Sequence, residues 1–271
     1  MKNVAIITGA SSGIGESTAQ TLLKNNFTVY AAARRVDRMA GLAAAGAKLL
    51  SLDVTNEASM QAAVQKVLSE SGRIDVLINN AGYGSYGAVE DVPLDEARRQ
   101  MEVNVFGLAR MIQLVLPTMR SQKSGTIVNI SSIAGKVSMP LSAWYHATKF
   151  AVEGLSDCLR MELKPFGIRV VLIEPGAIAT EFADLATEGM EKTSGHTAYA
   201  EQTKRLLRLF RTFKTAASPQ VVADAILKAV RSKHPKTRYV MGGGARPILA
   251  LRKLLPDKAF DKVMQMVLDR M

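Results

Sequence analysis

Cysteine and histidine are scarce in this chain. One cysteine, Cys158, and three histidines, His146, His196 and His234, are spread over 271 residues. A single thiol closes no internal disulfide, which fits a reducing compartment, and the ordinary place for such a residue is a helix interior. The histidines stand singly, with no Cys or His at ligand spacing, so no metal site is expected. Long apolar runs are also missing: none reaches the roughly eighteen residues of a membrane span. The start, MKNVAIITGA, lacks the long apolar segment and small-residue cleavage site of a secretory signal. Aromatic residues make up 6% of the chain, and no set of them is interleaved with basic residues as a nucleic-acid stacking platform would be. The expectation is a cytoplasmic globular protein with no nucleic-acid partner.

What is present is enough for one large core. With 48% hydrophobic residues, a chain of this length buries about 70–75% of its unfolded surface and forms one domain. The net charge of +11 is unevenly placed: residues 1–200 carry 19 Lys and Arg against 19 Asp and Glu, whereas residues 201–271 carry 16 against 5. A basic end of this kind attracts anionic partners.

Val4-Ala5-Ile6-Ile7-Thr8 is an apolar run too short for a helix, as a buried parallel strand is. Gly9-Ala10-Ser11-Ser12-Gly13-Ile14-Gly15 follows and opens a helical pattern at Ala19, Leu22 and Leu23. Its glycines let the backbone turn sharply and approach a pyrophosphate, whose charge is met by the N–H groups and positive dipole end of the next helix. The second strand, Phe27–Ala33, ends where a site for unphosphorylated NAD places a carboxylate on the ribose 2′-hydroxyl. Ala33, Arg34 and Arg35 stand there instead. Guanidinium groups bind phosphate oxygens in forked geometry, so NADP(H) is the expected cofactor, although Asp37 lies within reach of the same place.

Further strands are expected at 48–52, 74–78, 126–130 and 169–173, with helices between them. The third ends at Asp53-Val54, where Asp53 could accept from an adenine amino group or cap the next helix. The fourth runs into Asn79-Asn80-Ala81-Gly82, the fifth into Ser131-Ser132, the sixth into Glu174-Pro175-Gly176. A helical pattern around 95–116 contains Asn104. This alternation predicts an α/β fold with a doubly wound parallel sheet, whose ligand crevice lies at the carboxyl ends of the strands. Tyr145 and Lys149, four residues apart, share one helix face. An ammonium beside a phenol favours the phenolate, so the pair can exchange a proton near neutral pH.

Thr8-Gly-Ala-Ser-Ser-Gly-Ile-Gly15, Asn79-Asn-Ala-Gly82, Asn104, Ser132, Tyr145-x-x-x-Lys149 and Pro175-Gly-x-x-x-Thr180 together resemble the short-chain dehydrogenase/reductase family in order and spacing. The match is strong over residues 1–180, and the segment at 80–90 is similar to the 17β-hydroxysteroid and retinol dehydrogenase branch. The resemblance implies a Rossmann-type single domain that binds a dinucleotide through Gly9, Ser11, Ser12, Gly13, Ile14, Gly15, Arg34, Arg35, Asp53, Val54, Asn80, Ala81 and Gly82. It further implies Tyr145 as general acid or base and Lys149 lowering its pKa and holding the nicotinamide ribose. Ser132 would bond the substrate oxygen, and Asn104 would anchor a water on the path from Lys149 to solvent. Pro175, Gly176, Ile178 and Thr180 would orient the carboxamide. One departure stands out: some NADP-dependent relatives carry a basic residue where this chain has Ser12, which leaves Arg34 as the main phosphate ligand.

By the same resemblance residues 177–217 form a substrate lid. Within it Leu206, Leu209, Phe210 and Phe213 fall at helical spacing, with Lys204, Arg208 and Arg211 largely opposite. This basic amphipathic helix fits either a lid over an apolar pocket or a membrane surface. The basic segment 245–271 repeats the pattern with Phe260, Val263, Met264, Val267, Leu268 and Met271. The expected substrate is a small lipophilic ketone, aldehyde or alcohol, with peripheral membrane contact; the family resemblance implies a homodimer or homotetramer, since relatives usually pair through the helices bearing Asn104 and Tyr145. Two alternatives stay open: a 3-oxoacyl thioester reductase and a non-catalytic NADP(H) sensor.

Overall fold

Seven short strands, most of them apolar, alternate with helices over the residues that the computed structural model describes, 2–212 and 216–270. In chain order the elements are β1 (Val4–Thr8), α1 (Gly13–Lys24), β2 (Thr28–Ala33), α2 (Ala40–Ala44), β3 (Lys48–Ser51), α3 (Glu57–Ser71), β4 (Val76–Asn79), α4 (Leu94–Met101), α5 (Gly107–Gln122), β5 (Gly125–Ile130), α6 (Ala143–Leu163), β6 (Ile168–Pro175), α7 (Glu181–Ser194), α8 (Ala200–Thr212), α9 (Gln220–Arg231), β7 (Arg238–Met241), α10 (Ala245–Leu254) and α11 (Asp257–Asp269).

All strand pairs are parallel and the sheet order is β3-β2-β1-β4-β5-β6-β7. β1 pairs with β2 on one side and β4 on the other, so the winding reverses there and opens a crevice above the carboxyl ends of both strands. Successive residues of β1 enter different cores, as the two-residue strand period requires. Val4 and Ile6 pack with Met60 and Val64 of α3, Met111 and Val115 of α5 and Val152 of α6. Ala5 and Ile7 pack with Ala19 and Leu22 of α1 and Val222 and Ile226 of α9. Helices thus cover both faces, which is why the strand runs read as continuously apolar.

A third, smaller core stands apart from these two. Tyr86, Leu141, Met190 of α7, Leu206 and Phe210 of α8, and Leu268 of α11 form a cap beside the sheet's carboxyl edge. The amphipathic reading of 204–213 thus resolves inward: Leu206 and Phe210 are buried while Lys204, Arg208 and Arg211 are exposed. Phe213 lies outside the described residues, as does Met271. The stripe of α11 is only partly used, since Phe260 and Leu268 are buried but Val267 is 40% exposed. β7 was not among the expected strands.

Candidate active site

The glycine loop is stitched to the neighbouring strand end. At the end of β1 the Thr8 hydroxyl accepts from the backbone N–H groups of Asn80 and Ala81, both at 3.0 Å. The Asn80 side chain donates to the Thr8 and Gly9 carbonyls, also at 3.0 Å. Gly13 adopts φ +56° and a Cβ there would lie 3.1 Å from Thr180 Cγ2, while a Cβ on Gly15 would run into the Gly9 carbonyl. Ser12 precedes α1 in extended conformation without a side-chain cap, so the first N–H groups of the helix face the loop. The Pro175–Thr180 segment lies against this cradle. Its backbone is tied by Gly176 N–H to the Met241 carbonyl (2.8 Å) and by Ala179 N–H to the Ala217 carbonyl (3.0 Å), and Ile178 is buried.

The adenosine end is more open. Arg34, Arg35 and Asp37 are exposed just after β2. Asp53 does not cap α3: its carboxylate accepts from the Thr55 N–H (2.9 Å) and hydroxyl (2.8 Å), and the helix is capped by Asn56, whose Oδ1 accepts from Ser59 N–H at 2.9 Å. Burial alone would raise the Asp53 pKa, but the Thr55 hydrogen bonds and the nearby Arg34 and Arg99 charges leave it below the ordinary carboxylate value. Val54 is buried in the sheet core beside it.

Tyr145, Lys149, Ser132 and Asn104 converge where β5, α6 and the helix before α5 meet. Between α4 and α5 the backbone makes a π turn over Glu102–Phe106, a widened turn that shifts side-chain direction. Asn104 sits in it, 2% exposed. Its Nδ2 donates to the Tyr83 carbonyl (2.8 Å) and Thr148 hydroxyl (3.2 Å), and its Oδ1 accepts from Tyr83 N–H (3.0 Å). Asn104 therefore joins the 80–83 loop to α6. Ser132, just past β5, is held in extended conformation; its Oγ accepts from Ala134 N–H at 3.1 Å and donates to the Pro175 carbonyl at 3.3 Å. His146 Nδ1 lies 2.8 Å from the Ala134 carbonyl, and burial holds its pKa below the usual value. This contact fixes the turn after Ser132 to α6.

Lys149 Nζ donates to the Ile130 carbonyl at 2.9 Å and lies 5.7 Å from the Tyr145 ring centroid. Burial pushes its pKa down to about 8, with the Glu153 carboxylate acting in the opposite direction. Burial pushes the Tyr145 phenol up to about 12, and a hydrogen bond with Ser132 opposes that rise. With its pKa raised, the phenol carries its proton at neutral pH, as an acid must before it donates.

Several residues at the site carried no local signal. Tyr86 and Phe182 lie with ring centroids 5.5 Å from Tyr145, and Phe210 lies 5.4 Å from Tyr86. Tyr86 and Phe182 roof the phenol, and Phe210 backs Tyr86. Arg38 reaches from the segment after β2 to Glu181 at the start of α7, 2.9 Å apart. None of these three rings stands near another in sequence, so spacing could not have paired them; Phe210 alone was visible, as part of a stripe.

The crevice offers a glycine cradle that any Cβ at Gly15 would fill, uncapped N–H groups at the start of α1, and a polar set at the far end. Those features fit a nicotinamide dinucleotide, its pyrophosphate on the loop and its ring towards Tyr145. They define a dinucleotide-binding protein of Rossmann type. Residues 3–191 match the family model for short chain dehydrogenases, and the chain belongs to the short-chain dehydrogenase/reductase family of oxidoreductases. It is 40% identical to the 3-ketodihydrosphingosine reductase of Bacteroides thetaiotaomicron over 94% of this chain and 93% of that protein. A short-chain dehydrogenase/reductase of Burkholderia phymatum solved with NAD superposes with a TM-score of 0.80 at 28% identity, covering 93% of this chain and 92% of that one. The closed form of a serine dehydrogenase with NADP+ gives 0.78 at 26% identity, covering 88% and 94%. Relatives of this fold thus hold either form of the cofactor. Among the described residues no cluster of metal-ligating side chains is found, and no helix is long and apolar enough to cross a membrane.

Proposed function

We propose that the protein is an NADP(H)-preferring oxidoreductase that interconverts a lipophilic ketone or aldehyde and its alcohol, with Tyr145 as general acid and base. The observation that carries this reading is the setting of Tyr145: Ser132 hydrogen-bonded to its hydroxyl, the Lys149 ammonium 5.7 Å from its ring centroid, and the rings of Tyr86 and Phe182 over it. The bound cofactor would supply or accept the hydride at the carbonyl carbon. The rest of the work falls to the chain. Ser132 would donate to the substrate oxygen and Tyr145 would pass it a proton, stabilising charge as it develops. Lys149 would hold the nicotinamide ribose and make Tyr145 more acidic. Gly9, Gly13 and Gly15 would let the backbone close on the pyrophosphate; Arg34 would meet the 2′-phosphate.

An apolar roof removes water and rewards an apolar substrate. The relative that is 40% identical is named for a 3-keto lipid base, which supports a long-chain ketone here as well. Exposed Phe106 and Phe150, on the elements bearing Asn104 and Tyr145, make those faces the proposed homodimer contact. Exposed Leu254, Met266 and Val267 among the basic residues of α10 and α11 are the proposed points of peripheral membrane contact. The test is the rate of NADPH and NADH oxidation by the purified protein against keto lipid bases, steroid ketones, retinal and acetoacetyl thioesters. Turnover of a lipophilic ketone with NADPH is the expected result. Turnover confined to the thioesters would favour the acyl reductase, and NADPH binding without turnover of any of them would favour a sensor.

A further inference from the structure

Behind Lys149 the chain buries a set of charges that touch neither the cofactor cradle nor the cap. Glu153, one helical turn beyond Lys149 on α6, is 4% exposed, and Glu174 on β6 is 2% exposed. Arg238 of β7 joins them: its Nε and Nη2 donate to Glu153 Oε2 at 3.0 and 2.9 Å, its Nη2 donates to Asp157 Oδ2 at 2.7 Å, and its Nε lies 2.9 Å from Glu174 Oε1. Lys136 Nζ lies 2.8 Å from Glu153 Oε2. Burying such groups costs several kcal/mol per ion, and apolar residues of similar volume would hold a helix to a sheet edge at least as well. A stability role alone leaves that cost unexplained.

The cluster abuts both halves of the proton-transfer site. A Cβ on Gly135 would lie 2.8 Å from Glu153 Cγ, 2.9 Å from the Lys149 carbonyl and 3.0 Å from Ser131 Oγ, so the turn that begins at Ser132 rests directly on Glu153. Glu174 precedes Pro175, whose carbonyl accepts from Ser132. Glu153 stands four residues from Lys149, where side chains share a helix face. We propose that Glu153 is a positioning residue for proton transfer: held by Arg238 and Lys136, its carboxylate supplies the counter-charge that keeps the buried Lys149 an ammonium. The proposal rests on the reading of Tyr145 and Lys149 as the reacting pair.

The groups facing Glu153 are Lys149 and Asp157 from α6, Glu174 from β6, Arg238 from β7 and Lys136 from the turn after Ser132. Burial, then the Glu153 charge, pushes the Glu174 carboxyl up to about 7. The sign of the effect follows. Removing a negative charge lowers the pKa of both Lys149 and Tyr145, whereas removing the Lys136 charge raises both. Carbonyl reduction needs the ammonium and the protonated phenol, so its alkaline limb moves with them.

The experiment compares kcat/KM for NADPH-dependent ketone reduction across roughly pH 6–10 in wild type, Glu153→Gln, Glu153→Asp and Lys136→Met. Glu153→Gln is expected to move the alkaline limb down by about one unit, a loss of about tenfold in rate on that limb. Lys136→Met is expected to move it up, and Glu153→Asp to restore most of the wild-type profile. A packing role alone would lower activity at every pH and give both neutralising variants the same direction; limbs that coincide with wild type, or that move together, overturn the proposal. A second readout needs no substrate: the 13Cε shift of Lys149, assigned with Lys149→Arg, titrates at lower pH in Glu153→Gln and at higher pH in Lys136→Met. If Glu153→Gln does not fold, an unmoved Lys149 titration in Lys136→Met is enough to overturn it. Full turnover in Tyr145→Phe would instead overturn the assignment of the site, and the Lys149 titration would then decide the role of Glu153 by itself.

Discussion

The two ends of the crevice are held by different forces. At the glycine loop the contacts are backbone hydrogen bonds and close backbone approaches: Thr8 and Asn80 tie one strand end to the next, and a Cβ at Gly15 has no room. At the cap they are side chain against side chain, with Tyr86 and Phe182 tilted against Tyr145 and Phe210 edge-on to Tyr86, from separate elements of the chain. Backbone geometry admits few residue types, whereas ring packing admits many of similar volume. The first end is thus set by backbone geometry and the second by interchangeable side chains.

That contrast can be broken or sharpened by substitution. The largest effect is expected at the junction of the two ends: Tyr145→Phe should lower kcat by roughly 10²–10⁴ while a fluorescence titration finds NADPH affinity unchanged. Equal loss of affinity would mean that the phenol belongs to the cradle and not to the chemistry. Next, Phe182→Ala should raise KM for a long-chain ketone by about tenfold, or about 1.4 kcal/mol, with a short ketone little affected. A uniform loss across chain lengths would place this ring in the catalytic support. The smallest effect is expected at the exposed Arg34: Arg34→Glu should weaken NADPH relative to NADH by several fold, read as the ratio of their kcat/KM values, since one phosphate contact of this kind is solvent-screened. An unchanged ratio would move the phosphate contact to Arg35 or Arg38.

The same contrast explains what could be read in advance. Strand-end motifs are local: Gly9 to Gly15, Asn80 to Gly82 and Tyr145 to Lys149 each depend on spacing within one turn or loop, and the parallel sheet follows from the alternation that carries them. β7 escaped because Arg238-Tyr239-Val240-Met241 is four residues long and partly exposed throughout, with no continuous apolar run. Asp53 could be read as an adenine acceptor or as the cap of α3 because it is a capping type just ahead of the helix; the cap is Asn56, three residues on, which the position of Ser59 N–H selects. Tyr86 and Phe182 are almost a hundred positions apart, a separation at which periodicity is silent. Arg238 meets Glu153 across 85 positions, for the same reason unreadable from either end.

The cap rings form a core separate from the two that sandwich the sheet. Mutations accumulating in Tyr86, Phe182 or Phe210 are therefore free to reshape the space above Tyr145 without loosening the nucleotide cradle beneath it. Evolution can thus retune what enters from above while the nucleotide floor below stays as it is.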